Sequence, residues 1–219
     1  MGDKLMKIGV VIPTRGDRPK FLSQAKKLLH SQTKKPDEIY IVDFPPNEGV
    51  IDITKRYYIG ITHLFQKLKC DLVIFWEDDD WYSNDYIETI YSNWIKHNKP
   101  DMIGFGKTIY YHLFTKKYLI IDHPTKASAC CTAVSKNILN YKFPDDSYPY
   151  LDSFLWKQSL NKIVLSVEKF RHIGFKHGIG MTGGGGHKIN WEKYNNDDID
   201  LKLLKNVLDS ESFKFYIEF

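Results

Sequence analysis

Short, unbroken apolar runs alternate with longer stretches of helical periodicity through the first hundred residues. Ile8-Gly9-Val10-Val11-Ile12, stopped by Pro13, reads as a buried strand. After the loop Thr14-Arg15-Gly16-Asp17-Arg18, Pro19 suits the first turn of a helix. Phe21, Leu22, Ala25, Leu28 and Leu29 then recur on one helical face. Pro36-Asp37 ends that helix, and the pattern predicts a strand over 38–43, a helix over 51–68 and a strand over 72–76. Ile87, Ile90, Tyr91, Trp94 and Ile95 mark a further helix, capped by Ser83 or Asn84, before a strand over 102–105. Strands that are apolar throughout, separated by amphipathic helices, predict an α/β fold with a central, mostly parallel sheet covered on both faces.

The second half has a different texture. Runs over 108–114 and 118–122 flank the polar Thr115-Lys116-Lys117 and predict a small antiparallel hairpin. A strand over 127–134, a short helix over 150–160 and a strand over 163–167 follow, then a glycine-rich loop over 178–186 and a helical tail over 198–219. With no repeat or linker, the chain reads as one domain over 1–219, with halves at 1–100 and 101–219.

The third predicted strand runs straight into Glu77-Asp78-Asp79-Asp80. Four carboxylates at one strand tip are costly unless a cation sits there, and a hard divalent metal is the usual one. Neighbouring residues of an extended chain point to opposite sides, so the three aspartates cannot all be ligands. Strand tips are where open α/β sheets bind ligands, so the pattern points to a metal-assisted site for a phosphorylated substrate.

Composition adds bounds. Of 219 residues, 42% are hydrophobic and 26% charged, as in globular rather than disordered chains. The net charge of +4 is too small, and the lysine pairs too scattered, for an arm-type nucleic-acid binder. Cys70, Cys130 and Cys131 have no CxxC spacing, which argues against zinc and for buried thiols in a reducing compartment. No apolar run is long enough to span a membrane, and 1–7 has no signal-peptide pattern, so the expected location is cytoplasmic, with peripheral membrane contact left open.

The strand-helix order, Val11-Ile12-Pro13-Thr14-Arg15, Ile41-Val42-Asp43 and Glu77-Asp78-Asp79-Asp80-Trp81-Tyr82 together resemble family 2 glycosyltransferases of the GT-A fold. The resemblance covers the first 100 residues well and the rest loosely. It implies a nucleoside-diphosphate-sugar donor, most simply UDP-linked, and Mn²⁺ or Mg²⁺ held by a DxD-type motif. By position, Pro13, Thr14 and Arg15 would line the nucleotide pocket, Asp43 would face the base, and Arg56 the base or phosphates. Asp78 would contact ribose and Asp79 would ligate the metal, while Asp80 would either ligate or cap the next helix. Asp43-Phe44-Pro45-Pro46 departs from the family's usual Asp-Gly-Ser type turn. Asp152, in Tyr150-Leu151-Asp152-Ser153, matches the family's catalytic base, with Asp145 and Asp146 as competitors.

In the loop His177-Gly178-Ile179-Gly180-Met181-Thr182-Gly183 the glycines satisfy GxGxxG, but no βαβ unit follows, so a Rossmann reading fails. By resemblance the loop would close over a diphosphate, with His177 or His187 on the metal or phosphate and Lys188 on the phosphates. His172 reads as a core or strand histidine. Trp81, Tyr82, Tyr110, Tyr111 and Trp156 are either core or stacking surfaces for an acceptor. Partners follow: a nucleotide-sugar donor, and a glycan, lipid-linked glycan or hydroxymethylated nucleic-acid base as acceptor. A sugar-phosphate nucleotidyltransferase would need a glycine-rich phosphate loop after the first strand, which Pro13-Thr14-Arg15-Gly16-Asp17 lacks. A non-catalytic glycan- or nucleotide-binding protein is the remaining alternative.

Overall fold

The structure, a computed structural model, describes residues 6–47, 49–179 and 194–219. Its elements are β1 (Ile8–Pro13), α1 (Pro19–Ser31), β2 (Glu38–Val42), α2 (Ile53–Gln66), β3 (Leu72–Phe75), β4 (Trp81–Tyr82), α3 (Tyr86–Lys96) and β5 (Met102–Phe105). They continue with β6 (Lys107–His112), β7 (Lys117–Asp122), β8 (Thr132–Ser135), α4 (Leu151–Lys157), β9 (Lys162–Leu165), β10 (His172–Lys176), β11 (Asn196–Asp197), α5 (Lys202–Val207) and α6 (Ser210–Ile217).

The main sheet has the order β2-β1-β3-β8-β5-β9. β1 pairs in parallel with β2 and β3, and β5 with β9. The sheet is not parallel throughout, because β8 runs antiparallel between β3 and β5. The strand expected over 127–134 is shorter for a local reason. Residues Ala129–Cys131 form a 3-10 turn, and only Thr132–Ser135 pair.

A second sheet, β11-β7-β6-β10-β4, holds the expected hairpin as β6 and β7. β10 joins β6 in parallel and β4 antiparallel. Neither β4 nor β10 is signalled by its own periodicity; both are short and depend on pairing. The tail is two helices rather than one, because Asp209 stops the run and caps α6 by accepting from Ser212 N–H at 2.8 Å. α3 begins after Asp85, not after Ser83 or Asn84, and Ser83 Oγ instead donates to Asp85 Oδ1 at 2.7 Å.

Helix α2 covers β1 and β2 closely, with Tyr57, Ile61, Leu64 and Phe65 buried against them. Gly60 permits this approach: a Cβ there would overlap the Val11 side chain and press on Val42 Cγ2 at 3.1 Å. The carboxyl ends of β1, β2 and β3 are thereby fixed at one edge of the sheet. Gly60→Ala is expected to destabilise the protein by about 1–3 kcal/mol through overpacking, read as a lower urea midpoint with an unchanged m-value.

Candidate active site

β3 delivers Trp76 and then the four acids. The Trp76 ring stacks on Tyr82 at 3.7 Å, and Glu77 N–H donates to Tyr82 Oη at 2.8 Å, so the turn is anchored from below. The four carboxylates then part toward different partners. Glu77 Oε1 accepts from Tyr57 Oη at 2.5 Å. Asp78 accepts from Thr14 Oγ1 at 2.6 Å and lies 2.7 Å from Arg18 Nη2. Asp79 Oδ2 pairs with Arg18 Nη1, and with His177 Nε2 at 2.8 Å. Asp80 Oδ2 faces His172 Nε2 at 2.8 Å, while Oδ1 accepts from Phe175 N–H at 3.0 Å. Asp80 therefore ties β10 to the strand tip and does not cap α3.

One half-buried arginine serves two of the four acids, Asp78 and Asp79, and the proton affinities record the crowding. Glu77 is pushed up to about 8 by burial and by the charges of Asp79 and Asp80. Asp78 is pushed up to about 7, chiefly by burial and by Asp79, against the pull of Arg18. Asp79 goes the other way: burial raises it, but Arg18 and His177 outweigh burial and hold it below the ordinary carboxylate range. Burial would lower His172, yet Cys130 and Asp80 reverse this and push it up to about 10.

Beside the acids lies a cleft of about 300 Å³. Pro13, Thr14, Arg15 and Arg56 line one end of it, Glu77, Asp79 and Asp80 its floor, and Tyr150 and Asp152 the side formed by α4. Asp78 is fully buried, next to the wall formed by Thr14 and Arg18. Asp152, in the first turn of α4, is half-buried, with Lys126 Nζ 4.0 Å away. Its competitors lie elsewhere: Asp145 accepts from Ser147 and Asp146 faces Lys55, both around a separate exposed hollow. Arg56 lines the cleft, but its guanidinium is spent on structure. It donates to the carbonyls of Thr14, Val42 and Phe44 and to Asp52 Oδ2, at 2.6–3.1 Å.

Asp43 is exposed beyond β2 and does not line the cleft. Asp52 does, between Arg56 and Arg15 Nη1 at 3.8 Å. His177 is buried behind Asp79 against Phe21, and accepts at Nδ1 from Ile179 N–H at 3.3 Å, which leaves its Nε2 toward Asp79. His187 and Lys188 lie outside the described residues. Of the aromatic candidates only Tyr110 lines the cleft; Trp81, Tyr82, Tyr111 and Trp156 are buried.

Sequence reasoning missed Arg18, Asp52 and Lys176. Arg18 was signalled by its place directly before Pro19, in the loop leaving β1. Lys176 ends β10, lines the cleft and sits 4.8 Å over the Tyr110 ring.

A divalent metal fits this donor set. Asp79 lines the cleft and His177 Nε2 stands 2.8 Å from its Oδ2, so these two could hold the ion, which would replace the contact between them. The mix of carboxylate and imidazole suits Mn²⁺ somewhat better than Mg²⁺.

No protein-family model matches the chain, and no curated protein matches it. Among solved structures, a glycosyltransferase involved in the glycosylation of the major capsid of PBCV-1 is similar over 77% of this chain and 92% of its own, with TM-score 0.49 and 11% identity. S. aureus TarS 1-349 in complex with UDP is similar over 81% of this chain and 62% of its own, with TM-score 0.54 and 12% identity. A second S. aureus TarS structure is similar over 78% and 37%, with TM-score 0.53 and 12% identity. The fold is of the GT-A type. The chain spans less than two thirds of either TarS chain. In the GT-A sheet of this chain the acids stand at the carboxyl edge of β3, facing the loop that leaves β1.

Two outcomes are expected. Arg18→Ala leaves Asp78 and Asp79 uncompensated and should cost about 3–5 kcal/mol by urea denaturation, with Arg18→Lys recovering only part because one ammonium cannot bridge both acids. Second, in metal-free protein the folded state keeps protons on Glu77, Asp78 and His172 that the unfolded chain releases at lower pH. The carboxylate contribution is therefore full only below about pH 4 and is lost as pH rises through about 7 for Asp78 and 8 for Glu77, while that of His172 is lost between 6.5 and about 10. Melting temperature should fall over that window, and less steeply in Glu77→Gln; an equal slope in both proteins would refute the assignment to Glu77.

Proposed function

We propose that the chain is a glycosyltransferase that moves a sugar from a nucleoside-diphosphate donor, UDP-linked by preference, to an acceptor hydroxyl. The observation that carries this reading is that the acidic tip of β3 and the Asp152 carboxylate line one cleft. The GT-A fold and the UDP held by TarS support the donor class.

The donor's diphosphate would lie along Asp79, Arg18 and Lys176, and its nucleoside toward Arg15 and Asp52. With Asp43 outside the cleft, Asp52 is the carboxylate placed to accept a hydrogen bond from the base. Mn²⁺ or Mg²⁺, held by Asp79 and His177, would supply Lewis-acid stabilisation of the leaving diphosphate. Thr14 and Arg18 fix Asp78, and Tyr57 fixes Glu77, so the tip is held before the donor arrives.

Asp152 is the base. It would take the acceptor hydroxyl proton as that oxygen attacks the anomeric carbon, and a single displacement of this kind inverts the anomeric centre. Tyr150, 62% exposed, and the neighbouring Tyr148 ring offer flat apolar faces to a sugar or a nucleobase beside Asp152. The acceptor is a glycan, a lipid-linked glycan or a hydroxymethylated DNA base; a steep loss of activity with salt would single out the last.

Binding of UDP-, GDP-, TDP- and CMP-sugars, with Mn²⁺, Mg²⁺ or EDTA, tests the donor site. Metal-dependent binding of one donor, lost in Asp79→Ala, is expected; no binding under any condition would sink the proposal. Asp152→Asn should lower kcat by about 10²–10⁴ with donor affinity unchanged. Asp52→Ala should weaken donor binding, while Asp43→Ala should leave it as it is.

A further inference from the structure

Beneath the acidic tip lies a cluster that sugar transfer does not use. The side-chain donor atoms of Cys130, Cys131 and His172 all lie within 4.8 Å of one another, and all three residues are buried. We propose that these three residues form a second metal site, one that takes a borderline-soft divalent ion such as Zn²⁺ rather than Mg²⁺ or Mn²⁺.

The ligand chemistry decides the ion. Two sulfurs and an imidazole favour zinc, whereas Mg²⁺ and Mn²⁺ prefer oxygen. Bonds of about 2.0–2.3 Å place tetrahedral ligands roughly 3.3–3.8 Å apart. The cluster is therefore within about an ångström of closing around an ion, a movement that side-chain rotation supplies.

The backbone holds the ligands in place. The 3-10 turn Ala129–Cys131 is closed by Cys131 N–H donating to Ser128 O at 2.9 Å. Tyr86 Oη donates to the Cys130 carbonyl at 3.3 Å. Gly104 lets β5 approach so closely that a Cβ would meet the Cys131 carbonyl at 2.5 Å. Across from the turn, Thr108 Oγ1 occupies His172 Nδ1 at 2.6 Å, which leaves Nε2 as the ligand atom. In the metal-free protein that Nε2 faces Asp80 Oδ2 at 2.8 Å, a contact that the ion would replace.

Adjacent cysteines lack the CxxC spacing of common zinc sites, which is why the sequence argued against zinc. Here the 3-10 turn, not the spacing, brings both sulfurs to one place. Cys130 also lines the donor cleft, which gives an ion a route in. Binding exchanges the protons of two thiols and of His172 for the metal, so no oxidant or reductant is needed. The ion would clamp β10 and the 3-10 turn together directly under Asp80.

The test uses the full chain, stripped with chelator under reductant and reloaded with Co²⁺ or Zn²⁺. Expected are a thiolate-to-cobalt charge-transfer band that saturates at one Co²⁺ per chain, displacement of that band by Zn²⁺ but not by Mg²⁺, and its loss in Cys131→Ser. Zinc should also slow alkylation of Cys130 and Cys131, mapped by mass spectrometry, while leaving Cys70 unchanged. Wild-type protein that binds Co²⁺ without the sulfur band, or whose Cys130 and Cys131 alkylate equally with and without zinc, overturns the site. These wild-type readings decide the matter even if Cys131→Ser fails to fold. None depends on transferase activity, so the two proposals fail separately.

Discussion

Everything at the working edge of this protein follows from carrying four adjacent carboxylates on the end of a buried strand. Such charge cannot be left unpaired, because desolvation costs several kcal/mol for each ion. The chain meets it by splitting the acids between separate partners. Tyr57 takes Glu77, Thr14 and Arg18 take Asp78, Arg18 and His177 take Asp79, and His172 and the β10 backbone take Asp80. The partners come from three places, so satisfying the acids also fixes α2, the loop after β1, and β10 with the residue after it around one cleft.

A second cation does comparable work where the first two strands end. Arg56 donates to three backbone carbonyls from the loops after β1 and β2, with its guanidinium 3.9 Å above the Phe44 ring. Loops at strand ends are usually the mobile part of such folds. Here a buried guanidinium reaches the carbonyls of Thr14 and Phe44 in those loops and shares that of Val42, at the end of β2, with Thr14 N–H, and Asp52 balances its charge. Both terminal nitrogens of Arg56 are thus committed to the fold, and only its buried Nε has no hydrogen-bond partner.

The fold was largely legible in the sequence because its parallel strands and amphipathic helices are strongly periodic. The core positions of α1 read from spacing, such as Phe21, Ala25, Leu28 and Leu29, are buried. What could not be read depends on pairing across distance. β4 and β10 exist only because each meets a partner, and the antiparallel insertion of β8 has no local signature. At the site, the acidic cluster announced itself by its cost. Arg18 did not, since an arginine in a polar loop looks solvated until the acids arrive beside it. Asp43 and Asp52 are separated by a turn that departs from the family's usual sequence, and only the path of that turn decides which carboxylate reaches the cleft.

The partners of Asp79 and Asp80 have a kinetic side. Asp80 meets His172 across 92 positions, and Asp79 meets His177 across 98. A loop of that length must close before either contact can form, and nothing local rewards its closure. The first hundred residues hold β1, β2 and β3, and among the described residues of that half Arg18 is the cation paired with the acids. The contacts of β10 with the acids therefore carry a high loop-closure cost, and the cleft has all its walls only with the second half of the chain docked.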